Sequence, residues 1–273
     1  MNTNEQKRKA RVTIKDVAKA SGVSIATVSY VLNNTPGQSI SEDTRKKVLQ
    51  FANLLGYECN IMAKYLASGK TNTVAAVITD FDLFASQYYL NLITELSRLL
   101  YRKDYELKIV DYSDALARNS THCDAYITLG LDEDGFRRFA DTKYVPVIAV
   151  DCVFEDFLFY RINDNYKNLC DNARRDSDKA KIEFLTFGTS RSSIACAESF
   201  FDGVTVVRNM RDIEALDPAK QYVTVSKAIK DCAAVPVMLE NASFALKASA
   251  AFDAVIKALN RTQASPEEHD IKV

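Results

Sequence analysis

The sequence has 273 residues, of which 47% are hydrophobic and 26% charged, a composition that predicts a folded protein of two domains. No apolar run reaches transmembrane length, and the polar, basic start MNTNEQKRKAR lacks the apolar segment of a secretory signal, so we expect a cytoplasmic protein without a membrane partner. The six cysteines are scattered without a C-x-x-C pair, which predicts reduced thiols and excludes a closely spaced zinc site.

Charge is distributed unevenly along the chain. Residues 1–70 hold 11 Lys and Arg against 5 Asp and Glu, a net charge of +6, whereas the remainder holds 24 against 31, a net charge of −7. A basic N-terminal segment on an acidic body indicates that one end of the protein meets a polyanion, although basic N-terminal segments also arise by chance.

Capping residues predict three short helices at the start of the chain. Thr13 and Ser24 are N-cap residues for the first two helices, which meet at a tight turn around Gly22. Ser41 begins a third helix, whose apolar residues are spaced for one face. The result is a compact three-helix unit within residues 1–57.

The second helix presents a small and mostly uncharged outer face. Val28, Val31 and Leu32 fall on one side of the helix and are expected to pack inward. The residues left for another surface are Ile25, Ala26, Ser29 and Tyr30. A short helix that is fixed by its neighbour and carries such a face suits insertion into a DNA major groove. From periodicity alone, a small helical bundle without a DNA role remains the alternative.

The particular residues of this unit resemble the DNA-binding headpiece of the lactose-repressor (LacI/GalR) family. The matching residues are Thr13-Ile14-Lys15-Asp16-Val17-Ala18, Ala20, Gly22-Val23-Ser24, Thr27-Val28-Ser29, Val31-Leu32-Asn33, Ser41, Thr44-Arg45, Val48, Leu54, Gly56 and Tyr57. The resemblance implies a helix-turn-helix headpiece in a homodimeric, sequence-specific transcription regulator. Such a regulator is expected to be a repressor that binds a palindromic operator in double-stranded DNA.

By this resemblance, the outer face of the second helix contacts the DNA bases. The base-reading positions are Ile25, Ala26 and Tyr30, of which the first two offer apolar contact, for example to a thymine methyl group. Arginine is common in the family at the position of Tyr30, so a bidentate contact to guanine is missing here. Short polar side chains suited to phosphate contacts stand at Thr13, Ser24, Thr27, Ser29 and Asn33.

Residues 58–71 resemble the hinge helix that follows the headpiece in this family. The minor-groove positions that this match implies are Asn60, Ala63, Lys64 and Leu66, with Leu66 as an apolar wedge between base pairs. Cys59 stands where proline is usual and Lys64 where arginine is common, so a rigid start to the hinge is missing. A plain linker helix with Leu66 packed internally is the alternative.

After the hinge the pattern changes to strands alternating with helices. The predicted strands are 74–78, 107–110, 125–129, 145–150, 182–187, 204–207 and 223–225, and the predicted helices cover 86–102, 166–175, 226–234 and 243–260. This alternation indicates an α/β domain with parallel sheets over residues 72–262, followed by a polar tail at 263–273. It resembles the periplasmic-binding-protein-like effector domain of the family, with a reduced second lobe.

Few candidates for a small-molecule site remain in this domain, because it departs from the family pattern at several strand ends. Polar side chains at strand ends form the sugar site in relatives, and the candidates here are Asp80, Asp151, Asp164 and Arg191. The same residue types also serve as caps, turns and surface groups. Two kinds of regulator therefore stay open. In one, a sugar-like effector in the cleft changes DNA affinity; in the other, the body only dimerises the protein or binds a protein partner.

Enzymatic motifs are missing from the sequence. It contains no G-x-G-x-x-G, G-x-x-x-x-G-K-[ST] or G-x-S-x-G pattern, and its two histidines, His122 and His269, are far apart. No group of His, Cys and carboxylate residues has the spacing of metal ligands. We therefore predict a protein that is not an enzyme and that needs no metal or cofactor.

Overall fold

The computed structural model of the chain describes residues 12–33, 35, 37–57, 69–117, 123–176, 181–188, 190–239, 244–262 and 265–273. It divides into two compact units, with the boundary between Gly69 and Lys70. The described part of the first unit is helical, and the second unit consists of parallel β-sheets and helices. None of the described helices is long and apolar enough to cross a membrane.

The described part of the first unit consists of three helices: α1 (Ile14–Ser21), α2 (Ile25–Leu32) and α3 (Glu42–Leu55). Their apolar faces meet in a small core in which Val17, Val28 and Val48 are fully buried. Gly22 ends α1 with a φ of 68°, a left-handed conformation that glycine adopts without strain and that turns the chain into α2. The helices and the turn agree with the sequence prediction.

The second unit contains two parallel sheets, and each sheet forms one lobe. The strands of the first lobe are β1 (Thr73–Ile78), β2 (Glu106–Asp111), β3 (Ala125–Leu129), β4 (Val147–Val150), β5 (Arg161–Asn163) and β10 (Asp270–Lys272). Those of the second lobe are β6 (Ile182–Thr186), β7 (Gly203–Val206), β8 (Gln221–Thr224) and β9 (Val237–Leu239). The strand orders are β10-β5-β4-β3-β1-β2 and β7-β6-β8-β9, and all pairs are parallel.

Helices connect and cover these strands. The first lobe holds α4 (Leu83–Tyr101), α5 (Tyr112–Ala117), α6 (Glu133–Ala140) and α11 (Phe244–Leu259), and a short 3-10 helix at Pro266–His269 precedes β10. The second lobe holds α7 (Tyr166–Arg175), α8 (Arg191–Glu198), α9 (Met210–Glu214) and α10 (Lys227–Cys232). The helix α5, which directly follows β2, has only six residues.

The hydrophobic core of the α/β domain is continuous between its lobes. The long helices α4 and α11 pack against each other, and α11 contacts β3, β4 and β5. Their core includes Leu92 and Ile127 of the first lobe and Phe184 of the second. A separate cluster around Phe136 and Phe139 lies with α5 and α6 on the other face of the first sheet. Because helices cover both faces, β3 and β4 are fully buried, which explains their unbroken apolar sequences.

Each strand predicted from the sequence is present, and three short strands were missed. The missed strands β5, β9 and β10 have three residues each, which is too short to show a periodic pattern. The prediction of a polar tail over 263–273 was wrong for residues 270–272, which form β10 at the edge of the six-stranded sheet. Backbone hydrogen bonds fix this end of the chain, since Val273 bonds to Asn163 at 3.0 Å and to Asn165 at 2.8 Å.

Candidate functional site

The outer face of α2 is an exposed surface on a firmly packed helix. Val28 is fully buried in the core, whereas Ile25 and Tyr30 are 46% and 37% exposed. Ala26 is also exposed. The three positions expected to contact bases therefore share the solvent side of a helix that its own core holds in place. Their contact with bases stays a prediction.

The short polar residues of α2 take part in its end caps. Ser24 Oγ accepts a hydrogen bond from the Thr27 backbone N–H at 3.0 Å and lies 2.9 Å from Thr27 Oγ1. Because only one of these hydroxyls donates to the other, the second proton can go to a phosphate oxygen. At the other end, Asn33 Nδ2 donates to Ser29 O at 2.9 Å and to Ser29 Oγ at 3.2 Å. Ser29 accepts there, so its own proton can also be donated.

Thr13 differs from the polar residues of α2, because both of its hydrogen-bond donors already bond to Asp16. The backbone N–H and the hydroxyl of Thr13 donate to Asp16 Oδ2 at 2.8 and 2.7 Å. These two hydrogen bonds lower the pKa of Asp16, so the carboxylate is ionised at neutral pH. A phosphate that approaches Thr13 meets this negative charge and competes with it for the hydroxyl proton.

Positive charge prevails in the helical unit. Its described part holds five Lys and Arg and three Asp and Glu. The exposed lysines are Lys15, Lys19, Lys46 and Lys47. Lys47 Nζ lies 3.9 Å from the position that a Cβ on Gly22 would occupy, so this ammonium stands at the turn between α1 and α2. Such charges supply the sequence-independent attraction to a phosphate backbone.

The positions expected to enter the minor groove lie outside the described residues. These positions are Asn60, Ala63, Lys64 and Leu66, within residues 58–68. Their contacts with DNA, including the wedge role of Leu66, stay predictions from the sequence.

In the α/β domain, the carboxyl ends of strands from both sheets border a cleft between the lobes. An open cavity of about 490 Å³ lies in this cleft. Asp80, Asp82 and Asp132 of the first lobe and Arg208 of the second form its charged walls. Because ligands of open α/β sheets bind at this edge, the open cavity is a candidate site for a small polar molecule.

The charge of the open cavity is predominantly negative. Asp82 accepts a hydrogen bond from the Ala85 N–H at 3.2 Å and begins α4, and Asp132 begins α6 in the same way. Burial raises the pKa of Asp82, and the nearby Arg208 guanidinium opposes that rise. With Asp80, three carboxylates face one guanidinium, which favours a neutral or cationic ligand over a phosphorylated one.

Asp151 and Asp164 meet deeper in the cleft, on a buried lysine. The ammonium of Lys247 in α11 contacts Asp151 Oδ1 and lies 2.8 Å from Asp164 Oδ2. Tyr89 of α4 donates a hydrogen bond to Asp151 Oδ2 at 3.1 Å. Asp164 Oδ1 is buried and has no hydrogen-bond partner among the described residues. We call Lys247, Asp151 and Asp164 the lysine cluster.

Burial and charge act against each other within the lysine cluster. Burial raises the pKa of Asp164 to about 6, although the Lys247 ammonium opposes this rise; Asp151 adds to it. Burial also lowers the pKa of Lys247, but the two carboxylates outweigh burial and raise that pKa well above its usual value. Tyr88 of α4 and Tyr166 of α7 face the same cluster, and burial raises the pKa of both hydroxyls. Lys247 is therefore charged, and the raised pKa of Asp164 lets this carboxylate take up a proton on mild acidification.

The four residues expected to contact an effector thus fall in three places. Asp151 and Asp164 belong to the lysine cluster, and Asp80 lines the open cavity. Arg191 is the exposed first residue of α8 and lines neither this cavity nor the space beside the cluster. Lys247 was missed, although the sequence carries a signal for it. Lys247 shares the face of α11 that also carries Ala251 and Ala254, so it is a lysine on an otherwise apolar and buried face.

Comparison with known sequences gives a clear match for the helical unit. Residues 13–60 match the family model described as bacterial regulatory proteins, lacI family. The chain is 29% identical over 182 residues to the HTH-type transcriptional repressor PurR of Glaesserella parasuis, covering 60% of this chain and 52% of the relative. It is 49% identical over 71 residues to catabolite control protein A of Priestia megaterium, covering 26% and 21%. These matches span about half or less of the relatives' length.

Comparison with solved structures extends the similarity to the α/β domain. The crystal structure of the lac repressor dimer bound to operator and the anti-inducer ONPF matches with a TM-score of 0.64 and covers 93% of this chain and 94% of that chain. At 14% identity this likeness shows a common fold, a helical headpiece followed by a two-lobed α/β domain. Residues 13–60 therefore match the lacI family of bacterial regulatory proteins by sequence, and the α/β domain shares the fold of the lac repressor.

Proposed function

We propose that this chain is a sequence-specific DNA-binding transcriptional repressor that acts as a homodimer. The observation that carries the proposal is α2, whose buried Val28 and cap at Ser24 hold Ile25, Ala26 and Tyr30 outward. A helix held in this way can enter a major groove and contact base edges. The hydroxyls of its caps and the lysines around it then contact phosphates, which set the register on the duplex.

The DNA partner that we propose is a palindromic operator. The similar lac repressor structure is a dimer bound to operator, which supports the same arrangement here. A two-fold symmetric dimer presents two copies of α2 to two half-sites about one helical turn, roughly 34 Å, apart. The two segments around Leu66 would then meet the minor groove between the half-sites, where an apolar wedge kinks the duplex.

Base preference tests the role of Tyr30. Tyr30→Arg adds a guanidinium that can form two hydrogen bonds to guanine, so sites selected from random DNA should gain a guanine in each half-site. Tyr144→Arg is the matched control, because it adds the same charge at a fully exposed tyrosine of the α/β domain and should leave the selected sequence unchanged. Selection of the same sites by Tyr30→Arg and by the wild type would contradict base reading by this residue.

For the body, we propose that the open cavity binds a small, uncharged, hydroxyl-rich effector such as a sugar or nucleoside. The carboxylates of Asp80, Asp82 and Asp132 can accept hydrogen bonds from hydroxyl groups, and Arg208 can donate them. The volume of about 490 Å³ lies within the range of small-molecule sites. Such a molecule changes DNA affinity only if it binds two states of the body with different affinities.

Thermal unfolding of the full chain against sugars, nucleosides and phosphosugars tests this site. A ligand present at a hundred times its Kd should add about 2.7 kcal/mol to the free energy of unfolding. Asp80→Asn should weaken that effect, whereas Asp253→Asn, a change at an exposed aspartate of α11, should not. No stabilisation across the panel would favour the second candidate, a body that only dimerises or binds a protein partner. The lysine cluster favours this candidate, because it fills the deeper part of the cleft.

A further inference from the structure

A lysine of the chain itself fills the deep part of the cleft. Lys247 is 0% exposed, and its ammonium lies between the carboxylates of Asp151 and Asp164, which directly follow β4 and β5. A buried ammonium is strongly unfavourable unless carboxylates neutralise it, and two buried carboxylates repel each other unless a cation separates them. The three side chains therefore fix one another's positions.

The lysine cluster is also a junction between the two lobes. Ser193 of α8, in the second lobe, donates a hydrogen bond from Oγ to the backbone carbonyl of Asp151 at 3.1 Å. Phe187, which follows β6, packs against Tyr88 and Tyr89 of α4, with ring centroids 4.5 and 5.8 Å apart. Tyr89 in turn donates to the Asp151 carboxylate. Residues that surround the lysine are thus among those that contact across the two lobes.

Asp151 connects these contacts through a strained backbone. Its φ is 57°, in the left-handed region that non-glycine residues seldom occupy. Its N–H donates to Ile162 O at 2.9 Å, and its carbonyl accepts from Ser193. Its carboxylate accepts from Lys247 and Tyr89. Contacts on all its polar groups hold this conformation, so the loss of the lysine is expected to loosen the bond to the second lobe.

Little space for a ligand remains beside the lysine cluster. The adjoining cavity, bordered by Asp151, Asp164, Ser190 and Ser193, has a volume of about 20 Å³. A single water needs roughly 10–15 Å³ by the same measure, whereas small-molecule sites have roughly 300–1,000 Å³. The space between the carboxylates is occupied by the chain itself.

We propose that Lys247 is a built-in ligand that keeps the two lobes closed without a bound small molecule. Its ammonium neutralises Asp151 and Asp164, and Asp151 carries the effect to the second lobe through Ser193. This device lies within the α/β domain and does not depend on the proposed DNA-binding role. For regulation, it makes the closed α/β domain the resting state and keeps an effector out of the space between Asp151 and Asp164.

Hydrogen exchange of the full chain measures lobe closure directly. Lys247→Met removes the charge at similar volume, and amide exchange should rise by about tenfold or more at the two faces of the junction, residues 83–89 and 190–197. Exchange in β2, at the far edge of the first sheet, should stay as in the wild type. Lys227→Met, at an exposed lysine of α10, is the matched control and should change neither face. Exchange that is unchanged, or that rises uniformly over the domain, would overturn the proposal.

Chemical rescue tests the charge itself. Lys247→Ala leaves a space of the size of propylammonium between two carboxylates, so propylammonium should raise the Tm of this variant in a saturable manner. Propanol, which has the same size without the charge, should not raise it, and the wild type should respond to neither. If the variant is unfolded alone, recovery of folded protein during refolding with propylammonium is the readout. Rescue by neither compound, or equal rescue by both, would overturn the proposal.

Discussion

Substitutions at two positions of α2, Val28 and Ile25, distinguish a loss of folding in the helical unit from a loss of contact with DNA. Val28 is fully buried in the three-helix core. Val28→Ala removes two methyl groups, worth about 0.8 kcal/mol each, and leaves a cavity, so the free energy of unfolding of the unit should fall by about 2–3 kcal/mol. A unit of roughly fifty residues has only a few kcal/mol of stability, so a substantial fraction should be unfolded. Operator affinity then falls because the binding-competent fraction is smaller.

Ile25→Ala is the matched change on the exposed side of the same helix. Since Ile25 is 46% exposed, the free energy of unfolding should change by less than about 0.5 kcal/mol. Operator affinity should nevertheless fall by about fivefold, because an apolar contact to the bases is lost. Both variants are compared in the full chain. Hydrogen exchange of α1 to α3 measures the stability of the helical unit, and titration with a selected operator measures DNA affinity. Unchanged exchange in Val28→Ala, or unchanged affinity in Ile25→Ala, would refute this reasoning.

Other substitutions test the hinge, the first cap and the buried carboxylate. Leu66→Ala should reduce operator bending in a gel assay with permuted sites, because the wedge is lost, and unchanged bending would exclude that role. Asp16→Asn should strengthen DNA binding at low salt, because it removes the negative charge beside Thr13, although it also weakens the cap of α1. Equal or weaker binding would place the phosphate contact elsewhere. The pKa of Asp164 is raised to about 6 from 3.8, so the folded state binds more protons than the unfolded state between these two pH values. The free energy of unfolding should therefore fall as pH rises from about 4 to about 6, by on the order of 2–3 kcal/mol. In denaturant titrations over this pH range, the free energy of unfolding of Asp164→Asn should fall less than that of the wild type. An identical fall in both proteins would contradict the raised pKa of Asp164.

The helical unit could be predicted closely because its signals are local. Thr13, Ser24 and Ser41 stand at the helix starts, and Gly22 stands at the left-handed turn. Each of these residues acts on neighbours within about one helical turn, so sequence spacing alone specifies the geometry. Asp16 stands three residues after Thr13, which is the spacing of a capping box, but the effect of their hydrogen bonds on a phosphate contact needed the structure.

The cleft could be predicted only in part because its contacts are distant along the chain. Asp80, Asp151 and Asp164 were recognisable as polar residues at strand ends. The sequence could not show that Lys247, 83 residues from Asp164 and 96 from Asp151, lies between two of them. Strand β10 was missed for the same reason, because three residues form a strand only where β5 offers a free edge.

Selection of binding sites from random-sequence duplex DNA by the full wild-type chain tests the proposed function most directly. We expect enrichment of one two-fold symmetric sequence, with half-sites about one helical turn apart and one dimer bound per site. Enrichment of no sequence, or of a single asymmetric half-site bound by a monomer, would contradict a dimeric DNA-binding regulator.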